Sequence, residues 1–180
     1  TPVEPTGTPT TSEGVQGQPQ EGTPTFTPGN DKVPMKIDAT QPAKLIDPAT
    51  GNPTDETTIP AKDAKGNTVG TYTIDPTTGK VTFTPNKDFV GTPVPATVQA
   101  KDANGTPTTA TYTPTVTPVV PTAEPAETTD IQGKEQTGKP TFTPGNPNVP
   151  MDDDTPATFE DGSKEKVIPG EGTYTVAPDG

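Results

Sequence analysis

The side chains able to do covalent or acid–base chemistry in this 180-residue chain are Asp, Glu, Lys, Ser, Thr and Tyr; Cys, His, Trp and Arg are all missing. That removes the Ser-His-Asp triad, a thiol nucleophile, thioester and disulfide chemistry, and the ordinary zinc and haem ligand sets. The densest acidic group is Asp152-Asp153-Asp154 with Glu160 and Asp161. Several carboxylates suit Ca²⁺, but the spacing is not the alternation of an EF-hand loop. A solvated acidic loop is the expectation. Lys80, Lys101 and Asn86 have the groups for an intramolecular amide cross-link, and no spacing singles out a pair. Asn104-Gly105-Thr106 fits both an N-glycosylation acceptor and a hairpin turn, and the turn is expected. A carboxylate pair for glycoside chemistry needs a cleft, whereas most Asp residues here sit in turn sequences. No catalytic, cofactor-binding or metal-ligating set is assigned: the chain is expected not to be an enzyme and to need no cofactor.

The elements that position these residues must be built from little oil. Leu, Ile, Val and Phe number 26, against 39 Thr, 27 Pro and 18 Gly. That is below the share an ordinary core uses and at the border of low-complexity sequence. No apolar run approaches a membrane span. The formal net charge is −12 and every basic residue is Lys, which is wrong for neutralising phosphates, so no nucleic-acid partner is expected.

Self-comparison organises the chain. Residues 1–35 align without a gap with residues 117–151, at an offset of 116 and with 20 identities. Pro24-Thr25-Phe26-Thr27-Pro28-Gly29-Asn30 recurs from Pro140 to Asn146, and Val33-Pro34-Met35 recurs as Val149-Pro150-Met151. Gly70-Thr71-Tyr72-Thr73-Ile74 matches Gly172-Thr173-Tyr174-Thr175-Val176 at an offset of 102, so the second copy is 14 residues shorter between the blocks. It has no counterpart of Lys80–Val116. A period of this length is a small domain rather than a solenoid unit. The expected division is a Pro/Thr-rich linker over 1–14, a complete unit over 15–116, a second linker over 117–130 and a truncated unit over 131–180. Pro every three or four residues favours extended backbone in the linkers, with plain disorder as the alternative. Their Thr-Pro pairs also resemble an O-glycosylated stalk, but with Ser nearly absent a plain extended linker is the expectation. A chain opening on Thr1 without a signal sequence is expected to be a fragment or a processed piece.

Period-two alternation predicts strands around Tyr72 and Ile74, Val81 and Phe83, Ala96 to Ala100, and Ala110 to Tyr112, with Thr on the other face. Asp75-Pro76-Thr77-Thr78-Gly79 joins the Tyr72 strand to the Phe83 strand, and Asp102-Ala103-Asn104-Gly105 joins Val98 to Tyr112. Asp47–Gly51 repeats the Asp-Pro-x-Thr-Gly turn, and Asp63–Asn67 precedes the Tyr72 strand. With further strands near Phe26, Leu45 and Ile59, the fold class predicted is all-β: tandem antiparallel β-sandwich-like repeat domains joined by Pro/Thr-rich extended linkers. The expected core is Phe26, Tyr72, Ile74, Val81, Phe83, Phe89, Val98 and Tyr112. A second copy lacking its last strands is not expected to fold by itself.

Gln16-Gly17 to Gly29, Leu45–Gly51, Gly70–Gly79 and Lys80–Pro93, closing with Ala110–Val116, together resemble the CshA-type fibril repeats of streptococcal cell-wall-anchored surface adhesins. The resemblance implies a stalk repeat that projects a distal ligand-binding region from the wall of a Gram-positive cell, and so an extracellular, cell-wall-anchored location. The implied partners are neighbouring repeats of the same chain and, through regions outside this sequence, host extracellular matrix or other cells. No Leu-Pro-x-Thr-Gly anchor motif and no head region is seen here. The alternative is that the repeats themselves adhere to a host glycoprotein or to other cells, for which an exposed aromatic or apolar patch is the distinguishing sign.

Overall fold

A computed structural model describes residues 3–180. The chain divides into two units, Thr1–Pro118 and Val119–Gly180. In the first unit the strands are β1 (Thr6–Thr8), β2 (Thr10–Val15), β3 (Gln20–Gly22), β4 (Thr25–Thr27), β5 (Met35–Lys36), β6 (Lys44–Leu45), β7 (Thr58–Lys62), β8 (Thr68–Ile74), β9 (Val81–Pro85), β10 (Ala96–Asp102) and β11 (Pro107–Thr117). No helix among the described residues is long and apolar enough to cross a membrane. The all-β fold is as the alternation predicts.

Two sheets hold the core of this unit. One runs β2-β11-β10-β5, with β6 also paired to β10; the other runs β3-β9-β8-β7. β1 and β4 form a separate ladder. The alternation fixes which side chains turn inward. Ala96, Val98 and Ala100 of β10 are buried while Thr97, Gln99 and Lys101 are not. Val81, Phe83 and Pro85 of β9 and Tyr72 and Ile74 of β8 behave likewise. Alternation breaks at Val69 and Gly70, both buried, because the β7–β8 register shifts between Ala61 and Lys62, which is a bulge's extra residue. Tyr72 meets the Phe83 ring across β8–β9 at 5.3 Å and the Tyr112 ring from the opposite sheet edge-on at 6.4 Å. Phe83 also meets Phe89 edge-on at 6.4 Å. Every residue of the expected core lies in or against the hydrophobic cluster, Phe26 and Phe89 being partly buried. Leu45, Val116, Ala43 and Ala61 belong to the cluster as well.

The outward faces are threonine ladders. Thr71 sits opposite Thr84, Thr73 opposite Thr82, and Thr97 opposite Thr111. Hydroxyls pair across neighbours, Thr58 with Thr73 and Thr92 with Thr115, each at 3.0 Å. Such pairs reinforce a sheet by a few tenths of a kcal/mol each, so Thr is structural on both counts of shape and hydrogen bonding. The edge strand β7 carries Pro60, a residue that discourages further pairing.

Two expectations are corrected. The sheets are not purely antiparallel: β2 pairs with β11 in parallel, from Thr10↔Tyr112 to Val15↔Thr117. Consequently the stretch 1–14 is not a free linker, since it supplies β1 and most of β2. The alternating exposure of Thr10, Thr11, Ser12 and Glu13 is strand periodicity that the prolines obscure. Likewise 117–130 contains Thr122–Glu124, which is paired in the second unit.

That unit has β12 (Thr122–Glu124), β13 (Thr141–Thr143), β14 (Glu165–Ile168) and β15 (Gly172–Thr175). The β12–β13 ladder reproduces β1–β4 at the sequence offset, Thr6↔Thr27 becoming Thr122↔Thr143. The bridge Asn30↔Val33 likewise recurs as Asn146↔Val149. β14 and β15 form a hairpin with Lys166 opposite Tyr174, where the first unit has Ile59 opposite Tyr72. Its turn is Pro169-Gly170-Glu171, shorter than Asp63–Asn67.

Phe83 is fully enclosed. Phe83→Ala is expected to cost about 3–5 kcal/mol of unfolding free energy, read from urea melts of the full chain. A loss below about 1 kcal/mol would contradict the packing described.

Candidate functional site

The residues singled out for chemistry are dispersed. Asp152 accepts hydrogen bonds from the Asp154 and Thr155 backbone N–H and from the Thr155 hydroxyl. Asp161 accepts from the Ser163 N–H and hydroxyl. Both carboxylates thus hold their own turns. Among the described residues no group of three or more acidic side chains is gathered for a metal ion. Lys80 Nζ faces Glu21 Oε1 at 3.4 Å, Asn86 Nδ2 donates to the Thr68 carbonyl at 3.1 Å, and Lys101 is exposed on β10, so the structure gives these three different surroundings. A surface hollow of about 320 Å³ lies beside Ala43, Ile74 and Pro76, with the Lys44–Asp55 ion pair (2.7 Å) at its wall.

What the fold does bring together is a polar clasp joining β2 and β3 to the last strand of the unit, β11. Gln20 of β3 is buried, with 6% of its surface exposed. Its Nε2 donates to the Thr115 carbonyl at 2.9 Å, and its Oε1 accepts from the Ser12 hydroxyl at 2.6 Å. Ser12 Oγ also lies 2.6 Å from the Tyr112 hydroxyl. A serine has one proton to give, so Tyr112 donates to Ser12 and Ser12 to Gln20. The backbone adds Gln16 N–H to the Thr117 carbonyl at 2.8 Å, and the Thr117 hydroxyl reaches the Gly14 carbonyl at 3.2 Å. One amide therefore ties β2, β3 and β11 together, and among the described residues no buried polar side-chain atom is left unpaired.

Two glycines admit this arrangement. A Cβ at Gly14 would stand 2.9 Å from Gln20 Cγ, and one at Gly22 would run into the Tyr112 ring. Pro114, fully buried in β11, fits for a related reason. Val116 exchanges both backbone bonds with Gly91, so alternate β11 residues point away from β2. Pro114 shares that direction, and its missing N–H falls beyond the last β10 pair, Ala96↔Tyr112. The clasp is not legible in the sequence because Ser12 falls in a stretch whose prolines read as a linker. The available signal was Gln20 recurring as Gln136 at the offset of 116.

The turns are the other polar feature. Asp63 and Asp102 close two loops of the same kind: each carboxylate accepts two backbone N–H bonds, from Lys65 and Asn67 and from Asn104 and Thr106 respectively. Gly66 and Gly105 take the positive φ values (89° and 81°) that side chains resist. Asn104 does not adopt a positive φ, so Asn-Gly here is part of a longer Asp-capped loop rather than a two-residue turn. Asp75 accepts from the Thr77 hydroxyl and N–H, and Asp38 does the same for Thr40.

The exposed aromatic sign of an adhesive module appears in the second unit, where Phe142, Tyr174 and Val167 are open to solvent. Phe142 and Tyr174 align with Phe26 and Tyr72, which in the first unit pack against or within the core. Their exposure is that of core positions without the strands that β9, β10 and β11 provide.

The pH response follows from these groups. The Asp38, Asp63 and Asp75 carboxyls are held below the usual value, chiefly by hydrogen bonds from the Thr40, Asn67 and Thr77 side chains. A lowered folded-state value stabilises above the unfolded value of about 4 and is lost as pH falls through the folded one. Burial pushes the Tyr72 and Tyr112 phenols up, which stabilises below about 10 and is lost at higher pH. The melting temperature is expected to be level from about pH 5 to 9 and to fall on both sides. Asp75→Ala should make the acid limb shallower and Tyr72→Phe the alkaline limb, as read by circular dichroism; unchanged limbs would contradict these assignments.

One protein family, described as the surface adhesin CshA repetitive domain, matches residues 2–116 and again residues 118–180. No curated protein matches the chain significantly.

Proposed function

This chain belongs to the surface adhesin CshA repetitive domain family, and on that premise we propose that it is a structural stalk segment: repeats in series that carry a distal binding region away from a bacterial cell wall. The observation that carries this reading is the parallel pairing of β2 with β11. The chain enters this ladder on β2 beside Tyr112 and leaves it on β11 beside Val15, at opposite ends. A unit threaded this way adds length to a chain of units. With strands rising ~3.3 Å per residue, entry and exit are separated by on the order of 16 Å along the ladder alone.

Other features support the same role. The charge of −12 opposes lateral association of neighbouring stalks. Asp38, Asp63, Asp75 and Asp102 are engaged in closing turns, and Asp55 beside the surface hollow is paired with Lys44, which favours a non-catalytic role. The recurrence of the β1–β4 ladder as β12–β13 fits an array in which each unit begins the same way. Residues 131–180 are then the opening part of a further repeat.

The test is to place one, two or four copies of residues 1–118 between a known binding head and a wall anchor on a bacterial surface. Adhesion of the cells to the head's ligand is expected to rise with copy number, while beads coated with head-free repeats bind host cells no better than bare beads. Adhesion by head-free repeats would instead favour the repeats as binding modules.

A further inference from the structure

We propose that the β2–β11 ladder is a force-bearing clamp, so that the first unit resists extension along the chain far better than its sparse core suggests. The inference rests on the stalk reading, in which tension enters at one chain end and leaves at the other. Tension on the chain before Thr10 pulls β2 toward the Tyr112 end. Tension after Thr117 pulls β11 toward the Val15 end. Because the two strands are adjacent and parallel over six register pairs, these pulls run along the strands in opposite senses. The ladder is loaded in shear, and its hydrogen bonds must give way together rather than one at a time from an end.

The clasp lies across the same plane of slip. Gln20 holds the Thr115 carbonyl and the Ser12 hydroxyl, and Ser12 holds Tyr112, so sliding β2 past β11 breaks side-chain bonds as well as backbone ones. The Gln16–Thr117 and Thr117–Gly14 bonds close the exit end. Gln20 is buried, so water cannot replace these bonds before the strands separate. The β1–β4 ladder, with three pairs, is the shorter outer lock and yields first. In the second unit the described residues offer no parallel ladder: β12–β13 and β14–β15 are both antiparallel.

The position of the barrier makes the idea testable. Forced unfolding is governed by the unfolding rate, and a residue whose contacts are already lost in the transition state changes that rate by the full loss of stability. If rupture of the clasp is the barrier, Gln20 contacts are lost in it while the core around Val98, paired to Leu45 and Ala110, is still intact.

The full chain is tethered at its two ends and held at constant force, and the event releasing residues 10–117, on the order of 350 Å of contour at ~3.4 Å per residue, is timed. Equilibrium stability is measured in parallel by urea melts. Gln20→Ala is expected to shorten the lifetime about tenfold, and Ser12→Ala, a milder change that keeps the fold if Gln20→Ala does not, about threefold. Val98→Ala is expected to lose equilibrium stability yet change the lifetime less than twofold. A lifetime shortened as much by Val98→Ala as by the clasp variants, or untouched by them, overturns the clamp. That outcome is separate from failure of the stalk reading, which the copy-number adhesion experiment reports whatever the unit's resistance to force.

Discussion

The first unit depends on one constraint: its first long strand and its last lie side by side and parallel. Parallel neighbours cannot be joined by a tight turn, so everything between Val15 and Pro107 is the connection, and the fold closes only when β11 arrives. Closure has local requirements that explain residues otherwise hard to place. Gly14 and Gly22 leave room for Gln20 and the Tyr112 ring. Pro114 sits where no N–H is wanted. Gln20 satisfies its own buried amide while joining three strands, which is how a buried polar group becomes an asset rather than a cost.

Around that closure, the unit economises on oil. Its enclosed side chains are few, and three of the largest, Tyr72, Phe83 and Tyr112, meet in one chain of tilted and edge-on ring contacts. Threonine does the rest by suiting the pleated backbone and by pairing hydroxyls across strands. Asp63 and Asp75 close turns, and their lowered proton affinities follow from the amide, N–H and hydroxyl groups whose hydrogen bonds they accept. Composition that looks like that of a disordered chain is thus compatible with two facing sheets, because ladder and turn bonds carry what apolar area does not.

The two units separate local from tertiary causes. The Thr-Phe-Thr strand pairs with its upstream partner in both, with the same register, and the Asn30 turn recurs at Asn146. These are properties of short sequence blocks. Yet Tyr72 is 2% exposed and Tyr174 60%, in nearly identical strands. What differs is the presence of β9 to β11 over the ring. A side chain's alternation tells which face it occupies, and only neighbours at long sequence separation tell whether that face is covered.

By itself, then, the sequence determined the all-β class, the strands bearing Tyr72, Phe83, Val98 and Tyr112, the Asp-capped turns and the repeat offset, because period two, turn residues and self-similarity are local signals. It did not disclose that Thr10–Val15 is a strand, since proline spacing masked a ladder whose partner lies about a hundred residues away. Nor did it disclose Leu45 as core, its strand being two residues long, or Gln20 as the hub of the clasp. Tertiary structure decided those points for one physical reason: each residue's role is conferred by a partner distant in the chain, and spacing along the sequence carries no record of that pairing.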